Sequence, residues 1–230
     1  MLPSSTLTRP QFQEACKAFL LKYNSHGSGL ADAHYRGWEW SEHATVNGFG
    51  FLSRSVISSM REQLLDHSLN EELVDDASVA SNDDEATSSF SATEAVISTQ
   101  SVVFSPTFQV PVFYFTAHNS KGSPLELAQI MKTALFRRHA FSETDVTAFA
   151  LSSTSSPFPL LSQGDHPTLG TPSWYIHPCE TPAALAELTS EVMAEAMPEE
   201  GTTRWAGDAG LIRYMEIWFM LLGNVVDLNP

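Results

Sequence analysis

Four runs rich in aromatic and β-branched residues, 35–46, 49–57, 95–104 and 110–117, constrain this chain more than anything else in its sequence. Such side chains suit a pleated, half-buried surface, and runs of this length bounded by turn residues read as strands. Asn47-Gly48 separates the first two, and that dipeptide supplies positive φ twice, so it predicts a tight antiparallel hairpin. Ser105-Pro106 separates the last two. Joined in chain order the four make an antiparallel meander, whose apolar face has to be covered by another layer.

Helical periodicity supplies that layer. Thr8 followed by Gln11 is a capping box, and Phe12, Cys16, Phe19, Leu20 and Tyr23 then recur on one helical face. Ser123-Pro124-Leu125-Glu126 reads as a second box, with Leu127, Ile130, Met131, Ala134 and Leu135 predicting a helix to about Arg138. Thr181-Pro182 opens a third helix that ends before Pro198, and Asp208 opens a fourth with Leu211, Ile212, Met215, Trp218, Phe219 and Leu222 inward. Residues 140–172, rich in Ser, Thr, Pro and Gly, predict a long loop with at most a short strand, and Trp174-Tyr175-Ile176 a short buried run. The fold class is α+β: an antiparallel four-stranded meander sheet packed against helices, in a single domain over residues 1–230.

Charge is unevenly spread. The chain has 230 residues and a formal charge of −15, and ten of its acidic side chains lie in residues 62–95, which hold no Lys or Arg. That segment, between the second and third strands, is Ser/Ala/Thr-rich and lacks sustained apolar periodicity, so it predicts a flexible acidic insertion. A negative chain without a basic patch argues against nucleic acid and anionic membrane surfaces as partners. No run approaches the ~20 apolar residues of a membrane span, and the amino terminus MLPSSTLTRPQF lacks the pattern of a signal peptide. Two cysteines without framework spacing point to a reducing, cytoplasmic setting.

Those cysteines differ in surroundings. Cys16 falls on the apolar face of the first helix, where core packing accounts for it. Cys179 follows Pro178 and precedes a helix whose N-terminal N–H groups favour a thiolate. Two readings of Cys179 stand side by side: a thiolate nucleophile, or a small buried hydrophobe. His177 is two residues away, placed either to accept a proton, to donate to an oxyanion, or simply to hold a backbone turn. His166, in Asp165-His166-Pro167, reads as structural. The eight histidines form no H-x-x-x-H pair, so a metal site is not indicated. Trp38 and Trp40 read as core. A cysteine hydrolase and a non-catalytic acidic adaptor remain open at this level.

The stretch from Asp165 to Thr181, DHPTLGTPSWYIHPCET, resembles the active-site signature of the autophagy ubiquitin-like-conjugating enzymes, an HP-x-L-G-x-P segment followed by HPC-x-T. Trp38-Glu39-Trp40 and Val110-Pro111-Val112 make it more similar to the autophagy-related protein ten family than to that of autophagy-related protein three. The resemblance covers the scaffold from first helix to last, apart from residues 62–95. It implies a ubiquitin-conjugating-enzyme-like fold and a carrier reaction. An activating enzyme, autophagy-related protein seven, would load autophagy-related protein twelve onto Cys179 as a thioester, for transfer to a lysine of autophagy-related protein five. The sister reaction would carry the autophagy-related protein eight family to a lipid amine. No cofactor is implied, the simplest state of such a carrier is a monomer, and its place is the cytoplasm, with recruitment to the forming autophagosome. The HPN triplet of ordinary ubiquitin-conjugating enzymes is absent, so His177 and nearby backbone N–H groups are expected to serve the tetrahedral intermediate. An aromatic before the fourth strand, similar to a Tyr in relatives, is here Phe108, without a hydroxyl. Partner docking is expected on a sheet face or edge around Trp38–Leu52 or Val110–Tyr114.

Overall fold

Thr8 and Gln11 form the expected capping box: the Thr8 N–H donates to Gln11 Oε1 at 2.8 Å and the Gln11 N–H to Thr8 Oγ1 at 3.4 Å. They open α1 (Arg9–Ser25), which buries Phe12, Cys16, Phe19 and Tyr23. The computed structural model describes residues 5–25, 35–60, 95–137, 140, 144–147, 150–153, 159–195 and 207–229. Almost all of the acidic insertion read from the sequence lies outside the described residues; Ala95, counted with it, is the first residue of a strand.

The four expected strands are present and pair in chain order: β1 (Glu39–Ser41), β2 (Phe51–Ser59), β3 (Ala95–Ser105) and β4 (Val110–Asn119). The sheet is nonetheless twice as wide as expected. Residues 140–172 contribute β5 (Thr144–Val146), β6 (Ala150–Ser153) and β7 (Pro159–Asp165), and β8 (Pro172–Ile176) follows, giving the order β1-β2-β3-β4-β8-β7-β6-β5. Ser, Thr and Gly content signalled a loop there. Pairing decides otherwise, because β7 finds β8 over five residue pairs, Leu161↔Ile176 to Asp165↔Pro172, and ladder bonds override weak intrinsic preference.

Two further expectations fail for the same reason. Asn47-Gly48 does not form a two-residue hairpin. Gly48 has φ +85°, but the pairing ends at Ser41↔Phe51 and leaves residues 42–50 as a connection. Side chains hold that connection. Trp40 Nε1 donates to Glu42 Oε1 at 2.8 Å, His43 Nδ1 accepts from the N–H groups of Thr45 and Val46, and Gln13 Nε2 donates to the Gly48 carbonyl. The Trp40 ring also lies across Gly50, where a Cβ would fall inside the indole.

The predicted helix to Arg138 shrinks to α2 (Leu127–Ile130), capped by Glu126 and Gln129 rather than by Ser123 and Glu126. Beyond it Thr133 Oγ1 donates to the Ile130 carbonyl, and the chain extends to pair elsewhere. The Ala134 N–H reaches the Ser59 carbonyl, and Phe136 bridges Val226, with the Arg137 N–H on the Val225 carbonyl. Long-range backbone partners thus take the groups a helix would have used.

α3 (Thr181–Glu195) and α4 (Asp208–Leu222) start where expected, α4 with Gly207 as its cap. One face of the sheet, including Leu52, Val102, Phe113, Phe115 and Trp174, packs with α1 and α4. Phe19 stacks on Phe219 at 4.9 Å, and Trp218 donates its Nε1–H to the Pro111 carbonyl at 2.9 Å. Trp38 is buried, as expected, under Arg54, whose guanidinium sits 4.4 Å above its ring. Arg54 donates to Gln100 and to the Leu228 carbonyl, so it pins the C-terminal segment to the sheet; burial lowers its pKa to about 10, leaving it charged at neutral pH.

Gly50→Ala should be destabilising by about 1–3 kcal/mol, because the added methyl must displace the Trp40 ring. A lower urea midpoint with an unchanged m value is the expected reading.

Candidate active site

The segment between β7 and the start of α3 uses one device twice. At the β7–β8 turn, His166 Nδ1 accepts the N–H groups of Thr168 (3.2 Å) and Leu169 (3.1 Å), while its own N–H donates to the Thr171 carbonyl. Gly170, with φ +64°, lets the turn close. The imidazole is buried edge-on to Phe51 (4.8 Å) and near Tyr114 (5.5 Å), on the sheet face away from the helices. Burial pushes its pKa down to about 4. His166 is therefore a neutral turn-builder, in keeping with its structural reading.

Eleven residues on, the device recurs at the end of β8. His177 is extended (φ −68°, ψ 126°), its N–H donates to the Leu160 carbonyl at 3.0 Å, and its Nδ1 accepts the Cys179 N–H at 3.3 Å. Pro178 then fixes the first residue of a 3-10 turn, Pro178–Glu180, that runs into α3. Because Nδ1 accepts a hydrogen bond, the ring proton is assigned to Nε2. Partial burial lowers the His177 pKa, which favours that neutral form.

Cys179 sits at the centre of this turn, partly exposed. The expectation that the helix terminus favours its thiolate is not met: its pKa is raised. Desolvation is the larger cause and the Glu180 carboxylate the next, and the N–H groups of Glu180 and of Cys179 itself offset them only in part. A one-turn 3-10 segment supplies little dipole, and an acidic neighbour cancels it.

Phe108 reaches the same place from the β3–β4 turn. Its N–H donates to Ser105 Oγ at 3.4 Å, and Gln109, at φ 56°, completes the turn. The Phe108 ring meets the His177 ring edge-on, with centroids 5.7 Å apart. All three residues singled out in the sequence, Cys179, His177 and Phe108, thus converge. Sequence reasoning missed Glu180, whose charge reaches the thiol, and Tyr175, whose ring lies 6.2 Å from His177. For Tyr175 the signal was the two-residue spacing to His177 along an extended run.

Comparison with known proteins bears on this site. Residues 11–230 match the family described as autophagocytosis associated protein, active-site domain. The chain belongs to that family. Among its relatives, the ubiquitin-like-conjugating enzyme ATG10 of Arabidopsis thaliana is 25% identical over 242 residues, covering 97% of this chain and 92% of its own length. ATG10 of Homo sapiens is 26% identical over 148 residues (64% of this chain, 56% of the relative), and ATG10 of Dictyostelium discoideum 32% identical over 81 residues (35% and 30%). Family and relatives identify a ubiquitin-like protein transferase of autophagy with a ubiquitin-conjugating-enzyme-like fold.

Two pH-dependent outcomes follow from these environments. The folded His166 pKa of about 4 lies below the unfolded value of about 6.5. Between them the unfolded chain binds a proton that the folded chain does not, so stability falls as pH drops from about 6.5 to about 4. His166→Asn keeps an acceptor for the turn but cannot titrate, and should flatten that slope by up to about 3 kcal/mol in urea unfolding across this range. For Cys179, the rate of alkylation should rise with a midpoint above that of an ordinary thiol, and Glu180→Gln should move the midpoint down, because removing the carboxylate favours the thiolate.

Proposed function

We propose that Cys179 accepts autophagy-related protein twelve as a thioester from the activating enzyme, autophagy-related protein seven, and passes it to a lysine of autophagy-related protein five. One observation carries the assignment of the thiol. Of the two cysteines in the chain, Cys16 is fully buried with its pKa pushed well up, whereas Cys179 is reachable on a turn beside His177 and Phe108. We read residues 1–230, with the acidic segment 62–95 as an insertion, as the single working unit.

Loading is an exchange without redox change. The Cys179 thiolate attacks the thioester carbonyl carbon, the new C–S bond forms, and the activating enzyme's thiolate departs and takes up a proton. In transfer, the lysine amine attacks the same carbon, the C–N bond forms, and the C–S bond to Cys179 breaks. The amine's proton balances the one the departing Cys179 thiolate takes up. A thiol of raised pKa is a slower leaving group than an acidic one, which protects the loaded carrier from water between its two partners.

His177 suits one of its two proposed roles better. With Nδ1 occupied by the Cys179 N–H and the ring held neutral, it is built to donate from Nε2 to the oxyanion rather than to take a proton. Cys179's own N–H is shared between that bond and its own thiol, so the backbone contribution is narrower than the sequence suggested. Phe108 contributes packing to the His177 ring. For the acceptor, β1 is an edge strand and offers backbone pairing, whereas Val110–Tyr114 lies in β4, between β3 and β8, where only Tyr114 is paired on both sides.

In a reconstituted reaction with the activating enzyme, the ubiquitin-like protein and ATP, a thiol-labile adduct should appear on a non-reducing gel. Cys179→Ser should convert it to a thiol-stable oxyester and Cys179→Ala should abolish it. A Cys179→Ser protein that traps nothing while the activating enzyme is charged would overturn the carrier assignment. His177→Ala should load normally but slow single-turnover transfer by on the order of 100-fold.

A further inference from the structure

Among the described residues, two rings bracket His177, and Phe108 is one of them. The other is Tyr175. It pairs with Tyr114 across the β4–β8 junction, and the two rings stack at 5.2 Å and 28°. On β7, Gly164 leaves it room: a Cβ there would lie 3.1 Å from Tyr175 Cε1 and 3.7 Å from Cδ1. Gly164 does not have positive φ, so close approach of this ring, not backbone conformation, is what a side chain at that position would disturb. Tyr175 is thereby seated between a bare stretch of β7 backbone and a stacked partner. From that seat it tilts against the His177 imidazole, with centroids 6.2 Å apart and an interplanar angle of 35°.

The His177 Nδ1 bond to the Cys179 N–H is 3.3 Å, longer than the 2.7–3.2 Å usual for such bonds. A donor aimed at a developing oxyanion must be held within roughly 0.5 Å and 10–20° of its productive geometry. Phe108, edge-on at 75°, restrains the imidazole from the β3–β4 turn, and Tyr175 does so from within β8.

We propose that Tyr175, seated on Gly164 and Tyr114, is a positioning residue that sets the orientation of the His177 imidazole at the Cys179 site. It acts through ring packing, so its hydroxyl is dispensable. The inference rests on the carrier reading of Cys179.

The test is single-turnover transfer from the preformed Cys179 thioester to the acceptor protein, over a range of acceptor concentrations. Tyr175→Ala should load as the parent does, lose on the order of tenfold in maximal transfer rate, and keep the half-saturating acceptor concentration. Tyr175→Phe should restore the rate to within about twofold, and Gly164→Ala, which crowds the ring, should slow transfer in the parent but not further in Tyr175→Ala. In a His177→Ala background, Tyr175→Ala should cost nothing more. A tenfold loss in that background, or parental transfer by a folded Tyr175→Ala protein, overturns the proposal. A readout independent of the thioester is the pair of His177 ring ¹⁵N resonances: well separated in the parent, as one fixed tautomer requires, and drawn together in Tyr175→Ala. Unchanged resonances overturn the positioning role even if transfer slows. Failure of Cys179→Ser to trap any adduct, with the resonance change intact, refutes the carrier reading and leaves Tyr175 as packing alone.

Discussion

The placement of the turn that carries Cys179 depends on a short seam in the sheet. β4 and β8 are joined by only two residue pairs, Tyr114↔Tyr175 and Phe115↔Trp174, while each is paired at greater length with its other neighbour, β3 or β7. Those two pairs do separate jobs because side chains alternate across a sheet. Phe115 and Trp174 point into the helical core. Tyr114 and Tyr175 point the other way and stack toward the two histidine turns. Pro172, at the far end of β8, has no N–H to extend a ladder, and beyond the seam the two halves part around a cleft of about 710 Å³ lined by Thr116, His118, Leu125, Gln163 and Trp174. The turn carrying Cys179, Pro178–Glu180, starts three residues past Tyr175, the other end of the seam.

This arrangement separates rigidity from reactivity. Strand pairing delivers His177 to the sheet's end and holds it by a backbone bond to Leu160. Only then does Pro178 turn the chain and present the thiol. A nucleophile on a strand would be walled in by its neighbours, and one on a free loop would wander. A 3-10 turn between a strand and α3 avoids both.

How much of this was legible follows from how local each signal is. The cap of α1 is decided within four residues, Thr8 to Gln11, and it reads correctly. Phe12, Cys16 and Phe19 fall on one face of the helix they define, and they are buried. The HPC turn is likewise written in consecutive residues. What failed depended on distant partners. Met131 to Arg137 read as helix because nothing nearby announces that Ser59 and Val225 will take their N–H groups. Asn47-Gly48 read as a tight turn because the grip of Gln13 on the Gly48 carbonyl, from 35 positions away, has no local trace. Ser- and Thr-rich residues 140–172 read as loop because a strand that draws its stability from β8 needs little apolar patterning of its own. Within the site, residue identities were legible, but the acid strength of Cys179 was not. It is set by the balance of burial, Glu180 and two N–H groups, which only the folded chain brings together.

The stacking of Phe19 on Phe219 also bears on how the molecule comes into being. Contacts so far apart along the chain make closure of the core a late event in folding. At typical synthesis rates of about 5–20 residues per second, roughly 10–40 s separate the emergence of the two rings. In the last part of that interval Cys179 has already been made, while α4, which carries Phe219 and the Trp218 bond to Pro111, is still incomplete. The nascent chain therefore exposes the Cys179 thiol before it owns the helix that packs behind its turn, and the finished setting of that thiol arrives only with α4.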